Sequence, residues 1–198
     1  MKKANFLLLI AVISISQACN TGSNDSVDNA RAANESKDSG NMAKKDTAMA
    51  VSTMPVDKDA AAFAVEAANG GMMEVELGKY AQQNAMSQRV KDFGAMMVKD
   101  HSKANEALTN IAAAKNITLP AMVGDKAKKH MDDMMKMKGK DFDKAYMSMM
   151  LDDHKDDTKA FDKAAKECKD AEIKSFAATT LPVLMVHLDS AKAISGKN

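Results

Sequence analysis

Cysteine is scarce in this chain: two among 198 residues, Cys19 and Cys168. If Cys19 carries a lipid, Cys168 has no partner, and a disulfide framework is excluded even in an oxidising compartment. Cys168 then reads as a small buried hydrophobe. An excess of one charge is also missing. Lysine and arginine together number 28 against 27 acids, and the net charge of +1 becomes about −1 once Lys2 and Lys3 leave with an N-terminal signal. That balance gives no electrostatic case for binding nucleic acid. Nowhere do apolar and polar residues alternate with β-branched enrichment, so strands are not expected. A phosphate-cradling glycine loop, a nucleophile with a base at motif spacing and a zinc-finger pattern are all missing too.

What is present begins with a leader. Lys2 and Lys3 precede an apolar run from Phe6 to Ile15, too short to span a bilayer, and Ser16-Gln17-Ala18-Cys19 follows. Residues 1–18 therefore read as a secretory signal. A small residue directly before a lone cysteine is what lipoprotein processing needs, because the cysteine becomes the first mature residue and its thiol takes the diacylglycerol. Lipidation of Cys19 is the expectation, with ordinary cleavage near Ala18 as the alternative. It would place the protein in the cell envelope, periplasmic or on the outer membrane, held to the bilayer by its lipid. Residues 19–54 are rich in Asn, Ser, Asp, Lys, Ala and Gly, too poor in large apolar side chains to offset the entropy of ordering, and read as a disordered tether. Residues 55–198 suit one domain.

Within that domain four segments carry a helical apolar period, which predicts an all-α bundle. The first runs from about Val56 to Ala85, with Phe63, Ala67, Gly70, Leu77 and Ala81 on one stripe. Gly70-Gly71 falls in its middle, where each glycine costs up to about 1 kcal/mol, so a close approach of a neighbouring backbone is expected there. The second starts near Ser87, read as an N-cap, and runs to about Lys115 with Val90, Phe93, Met97, Ala104, Leu108 and Ile111 inward, after which Leu119-Pro120 stops it. A connection of more than twenty residues follows. It contains a short helix around Lys126 to Lys138 ended by Gly139, and is long enough to cross along the bundle so that the second and third long helices run parallel. The third long helix spans about Asp141 to Cys168, with Phe142, Tyr146, Met149, Ala160 and Ala164 inward. The fourth spans about Ala171 to Ile194, with Pro182 inside it and expected to kink it.

Against this pattern four side chains stand where leucine is expected. Glu74 lies seven residues from both Ala67 and Ala81; His101 follows Met97 by four and precedes Leu108 by seven; His187 follows Leu184 by three. His154 shares a heptad column with Met147 and Phe161 near the edge of its stripe, so Asp153 and Asp157 are possible substitutes for it. At about 1.5 Å rise per residue, all four fall within one or two turns of mid-bundle. An isolated carboxylate in a dry core takes up a proton, pairs or binds a cation. Three imidazoles and a carboxylate are a common ligand set for one ion of zinc, iron, copper or manganese. A metal-free reading also stands, with a neutral Glu74 hydrogen-bonded to buried histidines. The fourth histidine, His130, lies in the polar connection.

The chain holds eighteen methionines, seven of them between Met131 and Met150. Thioethers favour Cu(I), with Met134, Met135 and Met137 the best placed; the plainer reading is flexible core filler. Segments around these features, Gly70 to Gly78, Val90 to Gly94, Met97 through His101 to Asn105, Phe142-Asp143, Asp153-His154 and Leu181-Pro182 through His187-Leu188, resemble the family known as domain of unknown function 4142. The resemblance covers about Asp59 to Ile194 and implies a ferritin-like four-helix fold in exported bacterial proteins, without an established reaction. Di-iron bundles place a glutamate three residues before each metal-binding histidine. Here those positions hold Val98, Leu151 and Leu184, which argues against a two-iron centre. The expected function is metal binding for sequestration or stress tolerance. A metal-dependent oxidoreductase acting on oxygen or peroxide, or a structural bundle without metal, are the alternatives.

Overall fold

The computed structural model describes residues 25–39 and 56–196. Among them the chain forms six helices: α1 Ser26–Ser39, α2 Lys58–Asn84, α3 Gln88–Ala114, α4 Asp125–Met134, α5 Gly139–Glu167 and α6 Ala171–Ser195. The all-α class holds, and no helix among the described residues is long and apolar enough to cross a membrane. The expected signal and Cys19 lie outside the described residues.

Short loops make α2–α3 and α5–α6 antiparallel hairpins. Three of the four long helices, α2, α3 and α6, are started by a carboxylate that satisfies amides their own ladders cannot reach. Asp57 accepts from Ala60 N at 2.8 Å, and Asp170 accepts from Glu172 N and Ile173 N at 3.0 Å. At α3 the Ser87 side chain makes no cap bond. Asp143 of α5 accepts the amides of Met86 and Ser87 instead, at 3.0 and 2.8 Å. That contact joins the starts of α3 and α5, while Lys115 at the end of α3 pairs with Asp170 before α6 at 2.8 Å. The second and third long helices therefore run parallel, as the long connection permitted. Helix α2 packs on α3 and α5, and α6 on α5 and α3.

The core has two parts. One gathers Ala60, Ala64, Leu108, Phe161, Phe176 and Leu184. The other gathers Leu77, Val90, Phe93, Phe142, Tyr146 and Ala191. No methionine belongs to the first, whereas Met73, Met97, Met134, Met147 and Met150 are buried in the second. At or beside the boundary between the two parts each long helix carries a buried polar residue: Glu74, His101, His154 and His187.

Several expectations need correction. Residues 26–39 are not a tether: α1 docks Val27 and Ala30 against Val65, which widens the buried face of α2. Asn34 anchors it, donating to Thr118 O at 2.9 Å and accepting from Thr118 N at 2.7 Å. Asn34 is buried, and a buried amide requires such partners. The backbone-level approach of α2 to α3 lies about two turns beyond the predicted place. A Cβ on Gly78 would meet Gly94 O at 2.7 Å, whereas one on Gly71 would meet the Asn105 side chain and one on Gly70 nothing within 4 Å. Gly139, at φ +60°, opens α5 rather than ending α4. On α5 the buried face is rotated toward Met147, Met150, His154 and Phe161, leaving Ala160 exposed and Met149 half-buried. Helix α6 continues from Ala171 to Ser195 through Pro182. Met134 is core filler, Met135 packs at the core's edge and Met137 is largely exposed.

Candidate metal centre

Four helices deliver one residue each to the layer between the two core halves. Glu74 from α2, His101 from α3, His154 from α5 and His187 from α6 are all buried, the last two completely. The three imidazoles form a near-equilateral triangle with ring centroids 5.2, 5.3 and 5.6 Å apart. Each ring offers a nitrogen within 4.8 Å of the others.

Every ring has a partner on one nitrogen. His101 Nδ1 donates to Glu74 Oε2 at 2.9 Å. His154 Nδ1 faces the carbonyl of Met150 at 2.9 Å, and a carbonyl only accepts, so this nitrogen carries the proton. His187 Nε2 faces Asp100 Oδ2 at 3.0 Å, and the carboxylate accepts. The opposite nitrogens are left: His101 Nε2, which is buried without a partner, and His154 Nε2 and His187 Nδ1, which face each other at 3.2 Å.

Burial and charge sort the protonation states. Burial pushes His187 down to about 4, so it is neutral at pH 7 and its single proton points at Asp100. Burial also lowers His154, with the His101 charge adding to the shift against the pull of Glu74. His101 goes the other way: burial is outweighed by the Glu74 carboxylate, which raises its affinity for a proton. Burial would raise Glu74, but His101 overrides it and holds the carboxyl below its ordinary value. Each member of the pair thus favours the charged form of the other. Beside it, burial and the Glu74 charge push Asp153 up to about 7 and hold Asp157 well above the carboxylate range.

The consequence is an arrangement that the protein atoms leave unbalanced. At neutral pH, His154 Nε2 and His187 Nδ1 turn lone pairs toward each other at 3.2 Å, with no proton for the gap. Two nitrogens bound at about 2.0–2.1 Å to one tetrahedral ion lie about 3.3 Å apart, which is this spacing. Ligating histidines commonly donate their other N–H to a carboxylate or backbone carbonyl. All three rings do so here.

The family's sequence profile, described as a domain of unknown function, matches residues 44–194. The chain belongs to the DUF4142 family. No curated protein and no solved structure matches it. Helix α1 lies before the part of the chain that the DUF4142 profile covers.

In this DUF4142 domain the predicted residues Glu74, His101, His154 and His187 come together, with Glu74 hydrogen-bonded to His101. Asp157 joins Glu74 and His154 in a second group with donor atoms within 4.8 Å. Asp153 is close enough to feel the Glu74 charge, and its Oδ2 is buried without a partner. His130 is exposed. Reading one helix at a time missed Asp100. It is partly exposed and off the apolar stripe of α3, and only the crossing of α6 gives it His187 as a partner.

Proposed function

We propose that this DUF4142 protein is a cell-envelope lipoprotein whose bundle binds one transition-metal ion through His101 Nε2, His154 Nε2 and His187 Nδ1. Glu74 and Asp100 orient two of the rings and offset the cation's charge. The observation that carries this reading is the 3.2 Å approach of two acceptor nitrogens whose protons are committed elsewhere. A nitrogen-rich, compact set suits zinc, copper or iron better than the alkaline earths. Sequestration or stress tolerance fits a buried site beside which the described residues leave a cavity of about 30 Å³.

Titration of the chelator-treated mature domain with Zn²⁺, Cu²⁺, Cu⁺ and Fe²⁺ is the test. One ion per chain is expected, with a raised melting temperature. At free metal about 100 times the dissociation constant, binding adds about 2.7 kcal/mol of stability. Absence of stoichiometric binding, or binding unchanged in His154→Ala, overturns the metal reading. The lipid is tested separately, by the mass of the N-terminal peptide of the membrane-associated protein.

A second reading draws on the same geometry. Three nitrogen ligands leave a fourth position on a tetrahedral ion, the arrangement of catalytic rather than closed structural sites. An oxidoreductase would turn over oxygen or peroxide with loss of activity on metal removal, whereas a binding protein shows affinity without turnover.

A further inference from the structure

The Glu74 carboxylate is used on one side only. Its Oε2 holds His101, while its Oε1 is buried, has no hydrogen-bond partner, and lies 3.5 Å from a His154 nitrogen already committed to Met150 O. A carboxylate oxygen of Glu74 belongs to a group of donor atoms, one each from Glu74, His154 and Asp157, within 4.8 Å of one another. Glu74 and Asp157 also line a cavity of about 30 Å³, together with Asn105, Thr180 and the His101 ring and with apolar residues that include Phe161 and Leu184. About 10–15 Å³ accommodates one water, so this space holds an ion or two waters and nothing larger. Gly71 shapes the wall. A Cβ there would lie 2.2 Å from Asn105 Oδ1, so glycine is what lets the Asn105 amide sit against α2.

We propose that this cavity is a second cation site, distinct from the histidine triangle, in which Glu74 Oε1 and a carboxylate oxygen of Asp157 bind a hard divalent ion such as Mn²⁺. Asn105, Thr180 and water complete its oxygen shell. Oxygen donors suit the hard ions Mg²⁺, Ca²⁺ and Mn²⁺, whereas the three imidazoles suit Zn²⁺ and Cu²⁺, so with the imidazoles filled by Zn²⁺ the oxygen site is left for Mn²⁺. Glu74 then links the two sites, one oxygen behind His101 and the other on the second ion. The inference rests on the histidine site only in placing a first metal beside it.

Mature protein loaded with one equivalent of Zn²⁺ is titrated with Mn²⁺, and the loss of the free Mn²⁺ electron paramagnetic resonance signal counts bound ions. One further ion per chain is expected. Asp157→Asn, which keeps size and shape, should weaken Mn²⁺ at least about tenfold while leaving Zn²⁺ stoichiometry unchanged. Gly71→Ala, which displaces only the end of the Asn105 side chain, should weaken Mn²⁺ in the same direction. If Zn²⁺ loads but Mn²⁺ does not, the carboxylates are simply protonated and the proposal fails alone; Mn²⁺ binding that survives Asp157→Asn also overturns it. If Zn²⁺ fails to load while Mn²⁺ binds and is lost in Asp157→Asn, the histidine reading fails and this one stands.

Discussion

Asp100 reaches from α3 to α6 and fixes His187, its Oδ2 lying 3.0 Å from Nε2 of the ring. The contact decides which nitrogen of His187 is free, because an ionised carboxylate can only accept. Replacing it by Ala releases the ring to rotate and change tautomer without touching any metal-facing atom. Losing such an orienting partner typically lowers metal affinity 10–100-fold. Asp100→Ala should therefore keep one ion per chain but bind it more weakly by about that factor, as read by competition with a chelator of known affinity. Unchanged affinity would mean that His187 is not a ligand.

Metal binding should also release a proton, and from a particular ring. Glu74 raises the proton affinity of His101 despite burial, so His101 enters the reaction as imidazolium wherever the pH lies below its raised value. A metal ligand must be deprotonated, so the ion displaces that proton. Calorimetric titrations near pH 6.5 in buffers of different ionisation enthalpy should report a net proton release, more than half of His101 being protonated at that pH. In Glu74→Gln the carboxylate that holds the proton is gone. Release should then fall toward zero, and stability without metal should drop by about 3 kcal/mol, as for one partner removed from a buried ion pair.

These two sites of action differ in how visible they were in the sequence. Glu74, His101 and His187 could be found because each interrupts an otherwise apolar stripe, and a stripe is a property of one helix. The period of α5 sets His154 at the edge of its stripe when the apolar face is aligned on Ala160. The packed face follows Met147, Met150 and Phe161, which puts His154 at its centre. Asp100 and Asp143 act across helices, the first on His187 and the second on the amides of Met86 and Ser87, and no single-helix period encodes a partner on another helix. Helix α1 was missed for a related reason. Its sequence buries little by itself, and its order comes from polar bonds to the α3–α4 connection, such as Asn34 with Thr118, that exist only once the bundle has formed.

Acid should weaken the metal-free protein through His187. Its folded-state value is pushed down to about 4 from 6.5, so it contributes stability that is fully present above pH 6.5 and is lost as the pH falls from 6.5 toward about 4. A shift of that size corresponds to about 3 kcal/mol. His101 has the opposite sign, its raised value giving stability below pH 6.5 that fades as the pH rises through it. Comparing the chelated wild type with His187→Gln separates the two. Urea midpoints measured between pH 7 and pH 4 should fall less steeply in the variant, and equal slopes would show that His187 is protonated in the fold.

The glycines of α2 should respond to alanine in opposite directions, although they share one helix. Gly70 has open space where its Cβ would stand, so Gly70→Ala adds helix propensity and reduces the freedom of the unfolded chain at no steric cost. It should stabilise the metal-free domain by about 0.5–1 kcal/mol. At Gly78 the same methyl would lie 2.7 Å from Gly94 O, a backbone atom that cannot turn aside, and 3.0 Å from the Val98 side chain. Admitting it forces α2 and α3 apart along the interface that sets the spacing of Glu74 and His101. Overpacking of this kind costs about 1–3 kcal/mol, and here the propensity gain offsets only part of it. Gly78→Ala should therefore lower both the urea midpoint and the metal affinity, whereas a midpoint equal to that of Gly70→Ala would show that the two helices have room to separate.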